Sequence, residues 1–189
     1  YEKRYIKYIN HVLVTAKSDY LYLQKAYKGF NLNYSIIYNH PMQIKKQQLK
    51  SLYQLLSLSK KYKIILYQGV VQKGRGIGKL ISIITHLKNC VAVCIGSGEH
   101  QKYYQKLVNK KQLKNKVFFI NRMPYKQLLQ YTGSAAIGWL AIKPNSISNQ
   151  LALPNKLFEY MLAGIPIVSS NLSNIKEMQE IHGFTYFVD

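Results

Sequence analysis

An α/β protein built on a parallel sheet is predicted by three observations. From residue 62 onward, apolar runs and amphipathic segments alternate in the order βαβαβαβαβ. The runs are almost continuously apolar, as strands covered on both faces must be. Glycine-containing or polar loops follow several of them, and ligands of such sheets sit beyond the carboxyl ends of the strands.

The chain opens with a helical pattern over residues 2–10, a short strand over 11–15, a second helix over 17–27 and a strand over 34–37 before Tyr38-Asn39-His40-Pro41. Lys63-Ile-Ile-Leu-Tyr-Gln-Gly69 is then an apolar strand ending in glycine. Residues 70–79 supply Lys73, Gly74, Arg75 and Gly76 before the helical spacing of Ile77, Leu80, Ile81 and Ile84. A glycine-rich loop lets backbone approach a diphosphate closely, and arginine offers a fork of donors to it. The pattern is neither a Walker loop nor a dinucleotide fingerprint. A strand over 90–95 leads into Gly96-Ser97-Gly98 and a helix to about Lys111; a strand over 117–120 precedes Asn121, Arg122 and Met123 and a helix over 123–131. Strands over 135–140 and 165–168 complete the alternation.

Between the last two strands lies the segment richest in chemistry, residues 153–168, Leu-Pro-Asn-Lys-Leu-Phe-Glu-Tyr-Met-Leu-Ala-Gly-Ile-Pro-Ile-Val. Pro154 suits the first helical position, Gly164 ends the helix and Pro166 opens the strand. The first amides of such a helix point outward as an anion site. Leu157, Phe158, Met161 and Leu162 form an apolar arc, whereas Asn155 and Glu159 stand one turn apart on a different, polar face that Ala163 continues without bulk. A carboxylate there, beside Lys156 and the helix N-terminus, can accept from two vicinal ribose hydroxyls while amides hold phosphate; the plainer alternative is a solvated Glu on an amphipathic helix.

Residues 153–168 resemble the donor-binding segment of GT-B glycosyltransferases, especially the family-4 type that includes many bacterial polysaccharide and lipopolysaccharide enzymes. That family carries two Glu separated by seven residues; Glu159 matches the second, on the ribose, and Leu151 stands at the first, near the donor sugar. The loop after residue 69 is similar to the family's Gly-Arg, four residues, Lys-Gly pattern: Arg75-Gly76 matches the second pair and Val70 replaces the first Arg, with Lys73 and Lys156 as candidate substitutes. The family holds the base through backbone near a Phe-x-Gly pattern, which corresponds to Phe119-Ile120-Asn121 here. Arg122 is then placed either to stack on the base or as a surface arginine.

The resemblance implies a Rossmann-like doubly wound parallel sheet, the C-terminal half of a GT-B fold. Residues 1–40 would be closing elements of a preceding acceptor-side domain, 41–61 a hinge and linking helix with the hinge over 39–46, and 62–189 the donor-binding domain. It implies a glycosyltransferase acting on a UDP- or GDP-linked sugar and a glycan or lipid-linked acceptor, retaining and metal-independent. The nucleotide-sugar site would comprise Gly69, Arg75, Gly76, Gly96, Ser97, Gly98, Arg122, Met123, Pro154, Asn155, Lys156 and Glu159, with Arg75 and Lys156 stabilising the leaving group and no cofactor or metal. No general base is assigned.

Composition bounds the rest. The 189 residues, 48% apolar, suffice for one good core, and no stretch approaches the ~20 apolar residues of a membrane span. A first residue Tyr1 and an end at Asp189, where a last strand is turning, are expected of a fragment. Cys90 and Cys94 fall four apart in one strand, which suits free buried thiols and a reducing cytoplasm rather than a disulfide. The five histidines show no metal-ligand spacing.

Net charge is +20, with 13 Lys or Arg against Glu99 alone between residues 60 and 116. Lys102, Lys106 and Lys110 form an i, i+4, i+8 stripe opposite Tyr104, Leu107 and Val108, a face either solubilising or suited to anionic lipid on the inner side of a plasma membrane. The charge and 17 tyrosines also raise a nucleic-acid-binding module, but no nucleic-acid motif accompanies them. A non-catalytic GT-B subunit or a sugar-nucleotide epimerase is the remaining alternative, kept open by Val70 and Leu151.

Overall fold

A computed structural model describes residues 2–29, 32–41 and 49–188. Helix α1 (Glu2–Tyr5) runs into a 3-10 turn (Ile6–Tyr8), followed by β1 (His11–Val14), α2 (Lys17–Ala26) and β2 (Asn33–Ile36). Strands β1 and β2 form a two-stranded parallel sheet. Asp19 starts α2 by accepting from the Thr15 hydroxyl at 2.8 Å and the Ala16 amide at 3.0 Å, the N-terminal box expected of an acid in the first turn. Of the hinge expected over 39–46, residues 42–46 lie outside the described residues. A short α3 (Leu52–Leu55) lies within the 41–61 segment.

The larger unit then runs β3 (Lys63–Gln68), α4 (Ile77–Ile83), β4 (Cys90–Ile95), α5 (Gln101–Lys110), β5 (Val117–Ile120), α6 (Tyr125–Thr132), β6 (Ile137–Leu140), α7 (Ile147–Gln150), α8 (Asn155–Leu162), β7 (Ile167–Ser170), α9 (Ser173–His182) and β8 (Thr185–Val188). Its six strands are all parallel in the order β5-β4-β3-β6-β7-β8. This is the doubly wound arrangement, with strand order reversing between β3 and β6.

Alternation along the strands divides the core in two. Ile64, Leu66, Val91 and Val93 pack on one face with Phe158, Tyr160 and Ile175 of α8 and α9. Ile65, Tyr67, Ala92 and Cys94 pack on the other with Ile77, Leu80 and Ile81 of α4 and Tyr104 and Val108 of α5. Cys90 and Cys94 do share a face and are both free, although only Cys94 is buried and Cys90 is half-buried.

The sheet opens at the reversal. Strand β3 pairs with β4 over six residues but with β6 only at Ile65 and Leu66. Into the gap comes the Tyr160 hydroxyl of α8, which donates to the Leu66 carbonyl at 3.0 Å and accepts from the Gln68 amide at 3.2 Å, pairing backbone groups the departing strand leaves behind. Gly138 in β6 makes room for it: a Cβ there would lie 2.4 Å from the Tyr160 ring.

Several boundaries differ from those expected, and proline accounts for two. Helix α6 begins at Tyr125 rather than 123, because Pro124, extended at ψ 141°, is its N-cap and proline disfavours helical backbone at the residue before it. Strand β7 begins at Ile167 rather than 165: Pro166 has no amide to pair, and the Ile165 amide turns back to the Tyr160 carbonyl at 3.2 Å. Pro154 is likewise the N-cap of α8, not its first residue. Helix α9, not anticipated in the sequence, carries the chain to β8.

The polar face expected on α8 is the larger correction. Lys156, Leu157, Phe158, Glu159 and Tyr160 are all buried, while Leu162, assigned to the apolar arc, is 44% exposed. The helix lies over the sheet opening and is also covered from outside, where Tyr38 and His40 set their rings 5.9 and 4.8 Å from that of Phe158.

Candidate functional site

At the carboxyl ends of β3 and β4, and ahead of α6, lies a cavity of about 300 Å³ lined by Gly69, Gly96, Ser97, Arg122, Met123 and Tyr125, among others. Five of the residues singled out in the sequence thus meet in one place. The two loops interlock through backbone: the Gly69 amide donates to the Ile95 carbonyl at 3.0 Å, Val71 to Ser97 at 3.1 Å and Gly96 to Ile120 at 2.9 Å. Gly96, at φ +145°, is needed for this approach, since a Cβ would fall 1.9 Å from the Gly69 carbonyl oxygen.

Beneath Gly69 lies the charged centre. The Lys156 ammonium stands 4.0 Å over the ring of Tyr67 and 3.8 Å from where a Gly69 Cβ would be. Burial, reinforced by the nearby Arg75 charge, pulls it down to about 7, against the opposing pull of Glu159 and Cys94. Glu159 is 5% exposed. Its carboxylate accepts from Gln68 Nε2; burial raises its pKa, while Gln68, the nearby Tyr125 hydroxyl and Lys156 oppose the rise. The Gln68 amide is in turn oriented by Thr132 Oγ1, 3.1 Å from Gln68 Oε1.

The remaining expected residues fall elsewhere. Arg75 and Pro154 line a second cleft of about 630 Å³ with Leu151, between α7 and the Asp19 and Tyr22 side chains of α2. Leu151 therefore faces the same space as Arg75 with an apolar group. Gly76 lines a third cavity with Lys79 and Lys143. At φ +77° its missing side chain admits the Ala141 carbonyl, 2.1 Å from a Cβ built there, and its own carbonyl accepts from Trp139 Nε1 at 3.0 Å. Gly98 packs against Val71, whose carbonyl oxygen would be 2.4 Å from a Cβ. Asn155 is exposed and accepts from Asn39 Nδ2 at 2.9 Å, tying α8 to the segment after β2.

Residues 53–188, which contain the whole six-stranded sheet, match the family of glycosyl transferases group 1. The chain belongs to that family. Among solved structures, this group 1 domain is similar to Anabaena HepE in complex with UDP and glucose (18% identity, TM-score 0.71, 94% of this chain and 49% of that one). It is similar also to WaaG, a glycosyltransferase involved in lipopolysaccharide biosynthesis (14%, 0.68, 93% and 48%). A third is sucrose-phosphate synthase from Thermosynechococcus elongatus (17%, 0.69, 94% and 45%). At these identities the likeness shows the fold, which is that of GT-B glycosyltransferases, and the chain spans about half the length of each. None of the curated proteins matched the sequence.

Within the group 1 domain, the sequence reading missed Gln68, Tyr125 and Tyr160. Gln68 left a signal, a polar side chain closing an otherwise apolar strand just before Gly69. Tyr160 and Tyr125 left none, because one sits among apolar helix neighbours and the other at an exposed helix start. Among the described residues no three His, Cys, Asp or Glu side chains gather as a metal site, and no helix is long and apolar enough to cross a membrane.

Proposed function

We propose that this chain is the donor-binding half of a glycosyltransferase that moves a sugar from a UDP- or GDP-linked donor to a glycan or lipid-linked acceptor, with retention and without a metal ion. The observation that carries this is the placement of a buried carboxylate, Glu159, on Gln68 and a buried ammonium, Lys156, beside Gly69, at the end of the strand β3 whose following loop lines the cavity. HepE, of the same fold, is described with UDP-glucose bound. Glu159 is assigned the ribose diol, the loops carrying Gly69, Gly96, Arg122 and Met123 the base, and Lys156, Arg75 and the first amides of α8 the diphosphate. Cations there stabilise the negative charge that builds on the leaving nucleoside diphosphate as the sugar–phosphate bond breaks.

On this proposal residues 1–40 close the acceptor half, 41–61 form hinge and linking helix, and 62–189 form the donor half. Lys102, Lys106 and Lys110, all exposed on α5, are assigned to anionic lipid on the cytoplasmic side of a membrane. A non-catalytic subunit of the same fold is the second reading, favoured by Leu151 where the family's other carboxylate would stand.

Titrating the chain with UDP, GDP and ADP while following its amide resonances tests the site. Shifts at Gly69, Gly96 and Met123 with one base preferred support it, and silence with all three sinks it. Glu159→Ala should weaken binding by about 1–3 kcal/mol through two lost ribose hydrogen bonds. Equal affinity would remove Glu159 from the site, and tight oligonucleotide binding in place of nucleotide binding would favour a nucleic-acid module.

A further inference from the structure

We infer that Tyr67 is the positioning residue of the Lys156 ammonium: its ring face seats the cation at the end of β3 and leaves the N–H donors of that cation for the diphosphate of the donor. The inference rests on the donor reading above and adds to it the group by which Lys156 is held.

A buried ammonium needs something to replace its lost water. Lys156 is 9% exposed, and among the described residues its ammonium makes no ion pair and no hydrogen bond. What it has is the Tyr67 ring, whose centroid lies 4.0 Å from Nζ, the geometry of a cation over the negative face of an aromatic ring. The fold brings the two together. Tyr67 packs on the face of the sheet that α4 and α5 cover, whereas α8 packs on the other. Beyond Leu66, the last residue of β3 paired with β6, the Lys156 side chain crosses from one face to the other.

The ring is itself fixed. Tyr67 is fully buried and its hydroxyl donates to the Val70 carbonyl at 2.5 Å, so one side chain ties the seat of the cation to the loop that lines the cavity. A ring face holds a charge without cancelling it. An ammonium on a carboxylate is neutralised and its donors are spent, whereas one on a ring keeps its net charge and its donors for an anion. Gly69 leaves the opposite side clear, since a side chain there would start 3.8 Å from Nζ. The other groups facing Lys156 do not replace the ring. Glu159 of α8 is bonded to Gln68, Cys94 of β4 is kept a neutral thiol by burial, and Arg75 in the loop after β3 repels the cation.

The test replaces Tyr67 by phenylalanine, then by phenylalanines carrying three and five ring fluorines, which keep the shape and progressively cancel the negative face. The titration of Lys156 is followed through its side-chain Cε resonance, assigned with Lys156→Met. UDP affinity is measured over the same pH range, with GDP if guanine is preferred. Tyr67→Phe should titrate as the wild type does. The Lys156 midpoint should then fall with fluorination, by about one pH unit at five fluorines, because the charged form loses its partner. The pH above which UDP binding weakens should fall with it. If the five-fluorine variant does not fold, the three-fluorine variant reads the same trend. A role confined to packing leaves the midpoint in place, so an unmoved Lys156 midpoint overturns the inference whether or not UDP binds. A midpoint that moves in a protein that binds UDP and GDP at no pH overturns the donor reading instead.

Discussion

Lys156 shows at the residue scale how position changes chemistry. In the unfolded chain its ammonium titrates near 10.5, and in the folded protein near 7, chiefly because it is buried and next because Arg75 is close. Between those values the unfolded state binds more protons, so this residue makes stability rise with pH across the window, and its burial penalty is fully present below pH 7. Relative to Lys156→Met, the wild type should gain about 1.4 kcal/mol per pH unit above 7, read from urea midpoints at pH 6, 7, 8 and 9. A pH-independent difference would show that the ammonium is solvated. Binding of a nucleotide-diphosphate sugar should run the other way, weakening up to roughly tenfold per unit above pH 7 as the site loses its cation, with the slope absent in Lys156→Met. Lys156 and Glu159 were both legible in the sequence as site candidates. Their burial was not, because helical periodicity marks Glu159 as polar and cannot tell that the sheet opening, Gln68 and Tyr125 surround it.

At the scale of elements, glycine divides into two kinds that look alike in sequence. Gly96 is held where a side chain would strike the Gly69 carbonyl, in a backbone conformation L residues avoid; Gly164, at φ +67°, has nothing within 4 Å of a built Cβ. Gly96→Ala should therefore destabilise by roughly 3 kcal/mol or more, since two interlocked loops must separate, whereas Gly164→Ala should cost only about 1–2 kcal/mol of left-handed strain. Thermal unfolding of both variants checks this, and similar losses would refute the steric distinction. The elements themselves were largely legible from the period of apolar residues and from loop glycines. Two of the errors lie at prolines, Pro124 excluding helical backbone from the residue before it and Pro166 lacking an amide for the ladder, and a third at α9, whose polar sequence advertises little.

For the whole molecule, the segment before residue 42 and the doubly wound sheet meet across α8 and α9. Asn39 bonds Asn155, Tyr38 and His40 pack on Phe158, and the Ser18 hydroxyl bonds Asn174. The second cleft, with Arg75 and Leu151 on one wall and Asp19 and Tyr22 on the other, lies along this junction. Charge is also a property of this scale: the exposed lysine stripe of α5 belongs to a chain of net charge +20. If the stripe meets anionic lipid, replacing Lys102, Lys106 and Lys110 together by Gln should weaken binding to phosphatidylserine-containing vesicles by about 3 kcal/mol at low salt. Vesicle affinity that does not change would leave the stripe as a solubilising face.

The sequence by itself determined the alternation of strands and helices, the burial of the sheet on both faces, and the two charged residues of α8 that are candidates for the site. Those are local facts, written in periods of two and of 3.6 residues and in the placement of glycine and proline. Only the tertiary structure decided which groups those charges meet. Gln68 reaches Glu159 across 91 residues of chain, and Tyr160 reaches the end of β3 across 94. Such contacts exist because β6 parts from β3 and a helix from much later in the chain lies over the gap, a consequence of strand order that no local pattern carries.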